Sequence, residues 1–370
     1  MSSINLIAKW KLFYAFLWNH TLPVLNKFFP GRFGEEDELV RSLVFLGMSS
    51  LVDLVLGLPS SLWSTFVIES RFGFNKTTPF RFVKDMVMSI LLSVVLGTPI
   101  ASFVWWVMDR YYGPYMWLYL FGATVVLSIF AMVIIPNFVM PLFNKYTPLE
   151  DGELKTNIEE LSAGLKFPLK KIYVIDGSTR SSHSNAFFFG FFNKFICLFD
   201  TLLEQCKGRN ERIVAVMCHE LGHWYYSHTR KGFIMGLVLQ FFNLGLFGIV
   251  AGNRDLFRSF GFTKGTPHLI GLLLFSELDS LLDAVLGPLM KWNSRRWEYQ
   301  ADEFAKKKGY EKELAEGLVL MQIENLGNMN PDELYSLVHY THPTLVERLK
   351  ALGVKPDAVV VEGKTKEKET

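Results

Sequence analysis

Long apolar runs separated by short polar stretches dominate the first two thirds of the chain. A membrane-crossing helix needs about 20 mostly apolar residues, because the segment must satisfy its own backbone amides where no water can. Met86 to Met108 and Gly232 to Gly252 meet that length without one charged side chain. Tyr111 to Asn144 is longer, with Pro136 and Pro141 placed to end or kink its helix, and Ser42 to Leu62 carries only Asp53. Two further segments are less clean. His268 to Met290 contains Glu277, Asp279 and Asp283, acids that must face protein or water because a lipid-facing carboxylate is costly. Asp279 and Asp283 fall on one helix face and are expected to line water. Leu12 to Asn26 is short and follows Lys9 and Lys11. It reads as a span, an interfacial helix or the remnant of a longer ancestor's span.

Two polar regions remain, about 145 to 231 and 291 to 370, and two spans separate them, so they share one side of the membrane. The loop from Trp63 to Asp85 lies on that side with Arg71, Lys76, Arg81 and Lys84. The opposite loops hold Arg110 in one case and Arg254, Arg258 and Lys264 in the other. The basic excess favours a cytosolic face for both polar regions, and with it an unglycosylated Asn75. No secretory signal is evident.

Composition agrees with the pattern. Half of the 370 residues are hydrophobic, 15% are aromatic and 20% charged, which moves the chain toward the membrane class. Its mean hydropathy of +0.21 points the same way. Against 36 acids stand 38 bases, so no single-sign field points to nucleic acid. Cys197, Cys206 and Cys218 are too few and too unevenly spaced for a disulfide framework or a four-thiolate zinc site.

The candidate chemistry lies in Cys218 to Tyr225, Cys-His-Glu-Leu-Gly-His-Trp-Tyr, after the helical-looking Glu211 to Met217. His219 and His223, four residues apart, share a helix face and can reach one zinc. Glu220 follows the first ligand and can take a proton from water at the metal. Gly222 allows close packing. Cys218 points about 100° away around the helix and reads as packing. The third ligand is less determined. A histidine six residues on is missing, since Thr229 stands there, and His228 sits on another helix face. Asp332, in Asn330-Pro331-Asp332, reads as the N-cap of a helix from Glu333 to His339. Ser294 to Ala305 offers Glu298, with Asp302 four residues on along the same face, one carboxylate for the metal and the other to orient a ligand histidine. Glu303 is a rival on spacing alone.

Together with the Cys218 to Tyr225 segment, Ser182-His183-Ser184-Asn185-Ala186-Phe187-Phe188-Phe189-Gly190, Asn193-Lys194, Leu198 to Leu203, Glu298 to Ala305 and Thr341 to Leu349 resemble the type I CAAX prenyl endopeptidases. These are integral-membrane zinc metalloproteases of the endoplasmic reticulum and inner nuclear membrane. The similarity runs from about residue 40 to 350. It implies a mostly α fold, a multi-span transmembrane helical cage around a hydrated chamber, with a zincin-like metalloprotease domain containing a short β-hairpin. About six spans are countable where the family usually has seven, so a first span is absent or the start is misplaced. The implied organisation is 1–143, N-terminal transmembrane helices; 144–231, a cytosolic metalloprotease part with the His219 helix; 232–290, two transmembrane helices; 291–358, a C-terminal metalloprotease part with the third ligand; and 359–370, a disordered charged tail.

The resemblance also implies roles. One Zn2+ per chain is held by His219, His223 and Glu298, with Asp302 behind them and Arg348 paired to a site carboxylate. Glu220 is the catalytic base, and His342 contacts substrate and donates to the oxyanion. Asn185, before a hairpin at Gly190 to Asn193, belongs to a segment that pairs with extended substrate. The substrate implied is a prenylated CAAX protein or peptide, cut after the prenylated cysteine at the cytosolic face of the endoplasmic reticulum membrane. Lys366 and Lys368 resemble a dilysine retrieval signal. A heat-shock-type membrane endopeptidase uses the same ligands with about four spans, and a non-catalytic membrane scaffold is the rival of another class. The partners expected are the substrate and the lipid bilayer, with no nucleic acid; the oligomeric state stays open.

Overall fold

A computed structural model describes residues 2–190, 194–206 and 208–354, with side chains from residue 12 onward. The tip of the expected hairpin, the flanking Lys9 and Lys11 side chains and the charged tail with Lys366 and Lys368 lie outside the described residues. The helices are α1 (Ser2–Phe28), α2 (Glu38–Trp63), α3 (Pro79–Leu92), α4 (Thr98–Arg110), α5 (Met116–Ile134), α6 (Met140–Phe143), α7 (Glu153–Gly164) and α8 (Asp200–Gln205). They continue with α9 (Asn210–Tyr225), α10 (His228–Val250), α11 (Arg254–Ser259), α12 (His268–Lys307), α13 (Glu311–Glu324), α14 (Glu333–His339) and α15 (Leu345–Leu352). Four strands, β1 (Tyr146–Pro148), β2 (Leu169–Ile175), β3 (Ala186–Phe189) and β4 (Lys194–Phe199), complete the elements. The chain divides into two compact units, one of residues 1–68, 78–128 and 235–283, the other of residues 69–77, 129–234 and from 284 onward.

Among the described residues four helical segments are long and apolar enough to cross a membrane: Glu38–Glu69, Pro79–Arg110, Met116–Phe143 and His228–Val250. They coincide with the four clean apolar runs. Pro136 and Pro141 do not end their helix. A π-helical turn, Ile135–Val139, takes up the first, and the helix runs on to Phe143. In the first unit Leu51, Val55, Leu56, Val94, Val95 and Ile249 are exposed. In water each would be unfavourable by about 25 cal/mol per Å² of apolar surface; against acyl chains that cost disappears.

Several polar residues of this unit pair across its helices. The Glu38 carboxylate accepts from Trp105 Nε1 (3.1 Å) and from both the backbone N (2.7 Å) and Nδ1 (2.7 Å) of His268, joining α2, α4 and α12. Arg41 stacks over Trp18 at 4.3 Å. Of the three acids in the 268–290 segment, Glu277 accepts from the Tyr14 hydroxyl at 3.0 Å, Asp279 is half-buried and Asp283 is exposed.

The second unit is built on a mixed sheet of order β1-β2-β4-β3. β1 and β3 run antiparallel to their neighbours, while β2 and β4 are parallel. β3 forms one edge, in register with β4 from Ala186↔Leu198 to Phe189↔Phe195. The Ile213 to Met217 run buries the middle of α9, which packs with Ile172, Ile196, Leu198, Phe304 and Leu314 in one core. An ion pair from Arg212 to Glu316, at 3.0 Å, fixes its first turn to α13. Gly222 brings α9 against α12: a Cβ there would lie 3.2 Å from both the Ala301 Cα and the Phe304 Cβ.

Gly222→Val should therefore force the two helices apart and destabilise this unit by about 1–3 kcal/mol. Thermal unfolding of the purified protein in detergent measures it; an unchanged midpoint would show that the close approach is dispensable.

Candidate metal centre

Successive turns of α9 present His219 and His223, and their Nε2 atoms lie 3.2 Å apart. α12 supplies Glu298, with Oε2 3.4 Å from His219 Nε2 and Oε1 3.3 Å from His223 Nε2. Ligands bound at about 2.0–2.2 Å around a tetrahedral ion sit about 3.3–3.5 Å from one another, so these spacings match a common metal. One donor atom from each residue falls within 4.8 Å of the others. Glu298 Oε2 is buried and accepts no hydrogen bond, which is costly unless a cation occupies the space it faces. The donor set therefore fits zinc.

Behind His219, Asp302 Oδ1 lies 2.9 Å from Nδ1. The Arg348 guanidinium grips Asp302 with two hydrogen bonds, Nη2 to Oδ1 at 2.6 Å and Nε to Oδ2 at 2.9 Å, and its Nη1 stands 3.8 Å from Glu298 Oε2. Arg348 comes from α15, whose start is set by a capping box between Thr344 and Glu347. Arg295 of α12 holds Glu347 in turn, at 2.9 Å.

The electrostatics favour a cation at the centre. Burial opposes a charged His219 imidazole, but the Asp302 and Glu298 carboxylates beside it prevail and raise it to about 9. Burial alone would push the Glu298 and Asp302 carboxyls up. The histidines for Glu298, and His219 with Arg348 for Asp302, hold them below the usual carboxylate range instead. Burial pushes the Glu220 carboxyl upward.

A cavity of about 600 Å³ opens onto these groups, lined by His219, Glu220, His223, Glu298 and Arg348, by Asn185 to Phe188, and by His342. His342 is largely exposed, with Nε2 3.5 Å from Glu298 Oε1. Asn185 is exposed beside the free edge of β3, its Oδ1 accepting from the Ala186 backbone N at 2.8 Å. Every expected site residue thus falls at this cavity except Asp302, which touches it through His219 and Arg348. Glu303 does not come near: it pairs with Lys307 at the surface, at 3.5 Å. Asp332 caps α14 by accepting from Tyr335 N at 2.8 Å. All three cysteines are buried, and burial raises Cys218 to about 12, which leaves it a packing residue. Sequence reasoning set His228 aside as a ligand and missed its position, with Nδ1 3.0 Å from Nδ1 of His223. Its only sequence signal is that it is a histidine soon after the second ligand.

A helix-borne His-Glu-x-x-His, a converging glutamate from a later helix, and apolar helices long enough to span a bilayer define an integral-membrane metallopeptidase. Comparison with known proteins agrees. The family model "Peptidase family M48" matches residues 148–354, and "CAAX prenyl protease N-terminal, five membrane helices" matches residues 1–145. The chain belongs to peptidase family M48. Relatives include the CAAX prenyl protease 1 homolog of Arabidopsis thaliana, 49% identical over 86% of this chain and 74% of the relative. CAAX prenyl protease 1 of Saccharomyces cerevisiae is 42% identical over 91% of this chain and 77% of its own length. The Homo sapiens homolog is 40% identical over 86% and 75%. The crystal structure of S. mikatae Ste24p superposes with a TM-score of 0.86 at 41% identity, covering 93% of this chain and 81% of that one.

Replacing Arg348 with Met strands the buried Asp302 charge and should destabilise the protein by about 3–5 kcal/mol. Thermal unfolding of the full chain in detergent reads this loss, and the double variant with Asp302→Asn should recover part of it.

Proposed function

We propose that the chain is a zinc-dependent membrane endopeptidase that removes the last three residues, -aaX, from prenylated CAAX proteins. The observation that carries this reading is the convergence of His219, His223 and Glu298 beside an open strand edge, in a chain whose relatives bear the name CAAX prenyl protease 1. Those three residues would hold one zinc per chain. When bound, it supplies Lewis acidity toward a carbonyl and lowers the pKa of coordinated water.

The chain's own residues do the rest. Asp302 accepts from His219 Nδ1 and so presents Nε2 as a lone pair, and Arg348 keeps Asp302 ionised while doing so. Glu220 takes a proton from the attacking water and passes it to the leaving amine; its partly buried position makes it a stronger base than a solvated carboxylate. His342, exposed at the mouth of the cavity, donates to the developing oxyanion. The edge of β3 with Asn185 pairs with the extended peptide and presents the scissile bond to Glu220.

A membrane setting suits the substrate, since each methylene of a prenyl chain is unfavourable in water by about 0.8 kcal/mol. The charge distribution of the loops supports a site that faces the cytosol, and the resemblance to the CAAX prenyl endopeptidases supports a setting in the endoplasmic reticulum or inner nuclear membrane.

Incubation of the purified protein with a farnesylated Cys-a-a-X peptide should release the terminal tripeptide, identified by mass, and a chelator should stop it. Glu220→Gln should lower kcat by at least about 10³-fold with zinc still bound; near-normal turnover in that variant would remove Glu220 from the reaction. The base works only when deprotonated and its carboxyl is raised, so kcat/KM should climb with pH through a midpoint above the ordinary carboxylate range. A profile that is flat across that interval would assign the proton transfer elsewhere.

A further inference from the structure

His228 opens α10 directly after the end of α9, and Ser227 makes that reversal. Ser227 has φ of 57°, a left-handed conformation that a non-glycine residue adopts only where the surroundings demand it. The turn carries the His228 ring back beneath His223, where it is 3% exposed. It lies almost parallel to Trp297, at 5.2 Å and 10°, and stacks on Tyr226 at 5.7 Å. Both its nitrogens are engaged: Nδ1 faces His223 Nδ1 at 3.0 Å, and Nε2 faces Gln300 Oε1 at 2.9 Å.

One proton arrangement satisfies all of these contacts. His223 turns Nε2 toward His219 and Glu298, so a cation there needs the lone pair on Nε2, and a neutral imidazole then carries its proton on Nδ1. That proton can go only to His228 Nδ1, which must accept. His228 therefore holds its own proton on Nε2 and donates it to Gln300, where an acceptor oxygen stands. We propose that His228 is a positioning residue of the metal centre: with Gln300 it forms a neutral relay that fixes the tautomer and ring orientation of His223. The proposal rests on the zinc reading given above. His219 is backed by an ionised Asp302 and His223 by an uncharged pair, so the second ligand is oriented without adding negative charge to a centre that already has Glu298 and Glu220 in its cavity and Asp302 behind it.

The test is a zinc competition titration against a chromophoric chelator, with the full chain in detergent, together with the visible spectrum of the cobalt-substituted protein. His228→Phe keeps a flat ring between Trp297 and Tyr226 but cannot accept, and should weaken zinc binding about 10–100-fold and alter the cobalt bands. His228→Gln, which can accept through its amide oxygen, should recover most of the affinity. Gln300→Leu changes an exposed residue, leaves the ring in place and should give a smaller loss. His228→Phe with wild-type zinc affinity and spectrum overturns the proposal, as does a His228→Gln no better than Phe. Should His228→Phe fail to fold, unchanged affinity in Gln300→Leu overturns it instead. A wild-type protein that takes up no zinc defeats the zinc reading itself, an outcome distinct from either.

Discussion

Glu298 and Asp302 stand one turn apart on α12, both almost wholly buried, and two carboxylates so placed stay ionised only if positive charge is brought to each. Arg348 answers Asp302 with a two-pronged grip, the strongest geometry available to a guanidinium and carboxylate. Glu298 receives less: the imidazoles of His219 and His223 at 3.3–3.4 Å, that of the exposed His342 at 3.5 Å and the far nitrogen of Arg348 at 3.8 Å, with one oxygen left without a hydrogen bond. The deficit in positive charge sits where the three donors converge. A divalent cation removes it, which makes the metal part of the electrostatic balance of this unit as well as of its chemistry.

Much of the surrounding architecture serves that balance. α15 is short, and an eight-residue helix is marginal alone. Its capping box, the Arg295 contact to Glu347 and the left-handed Gly353 at its end fix it at both termini, so that Arg348 reaches Asp302 in one orientation. α9 is held in a similar way by the burial of its middle turns, by the Arg212 to Glu316 pair and by the gap at Gly222 that lets Ala301 and Phe304 approach. Two helices placed so rigidly can hold His219 over Asp302 at hydrogen-bond distance, which a loop-borne histidine would do poorly.

What could be read from the sequence was what repeats or is local. The four clean apolar runs became four helices long enough to span, because length and the absence of charge are sufficient grounds. His219 and His223 were legible because four residues is one helical turn, and Asp332 because an N-cap is decided within three residues. Glu298 and Glu303 could not be separated by spacing. The structure separates them by direction, one toward the histidines and one toward Lys307 at the surface. The π-helical turn at Pro136 was hidden because a proline permits an end, a kink or an altered turn, and neighbouring packing decides. His228 was hidden for another reason. Its position depends on the sign of one backbone angle at Ser227, which nothing in the residue type announces.

The free edge of β3 follows the same logic of unsatisfied groups. The Asn185 carbonyl accepts from Phe199 N, so the backbone groups of Asn185 face β4 and those of Ala186 and Phe188 face outward. An exposed row of this kind invites indiscriminate pairing with other chains. Asn185 blunts it locally by turning its own side-chain oxygen onto the outward Ala186 N–H, at 2.8 Å. In the proposed reaction an extended peptide that pairs here exchanges that bond for one to its own backbone, and the Asn185 amide is released to contact the peptide. At the Ala186 N–H the exchange conserves the hydrogen-bond count, so that position contributes little net free energy. Discrimination must then come from what the peptide presents to the metal and to the walls of the cavity, which is where the titratable residues of this unit have been gathered.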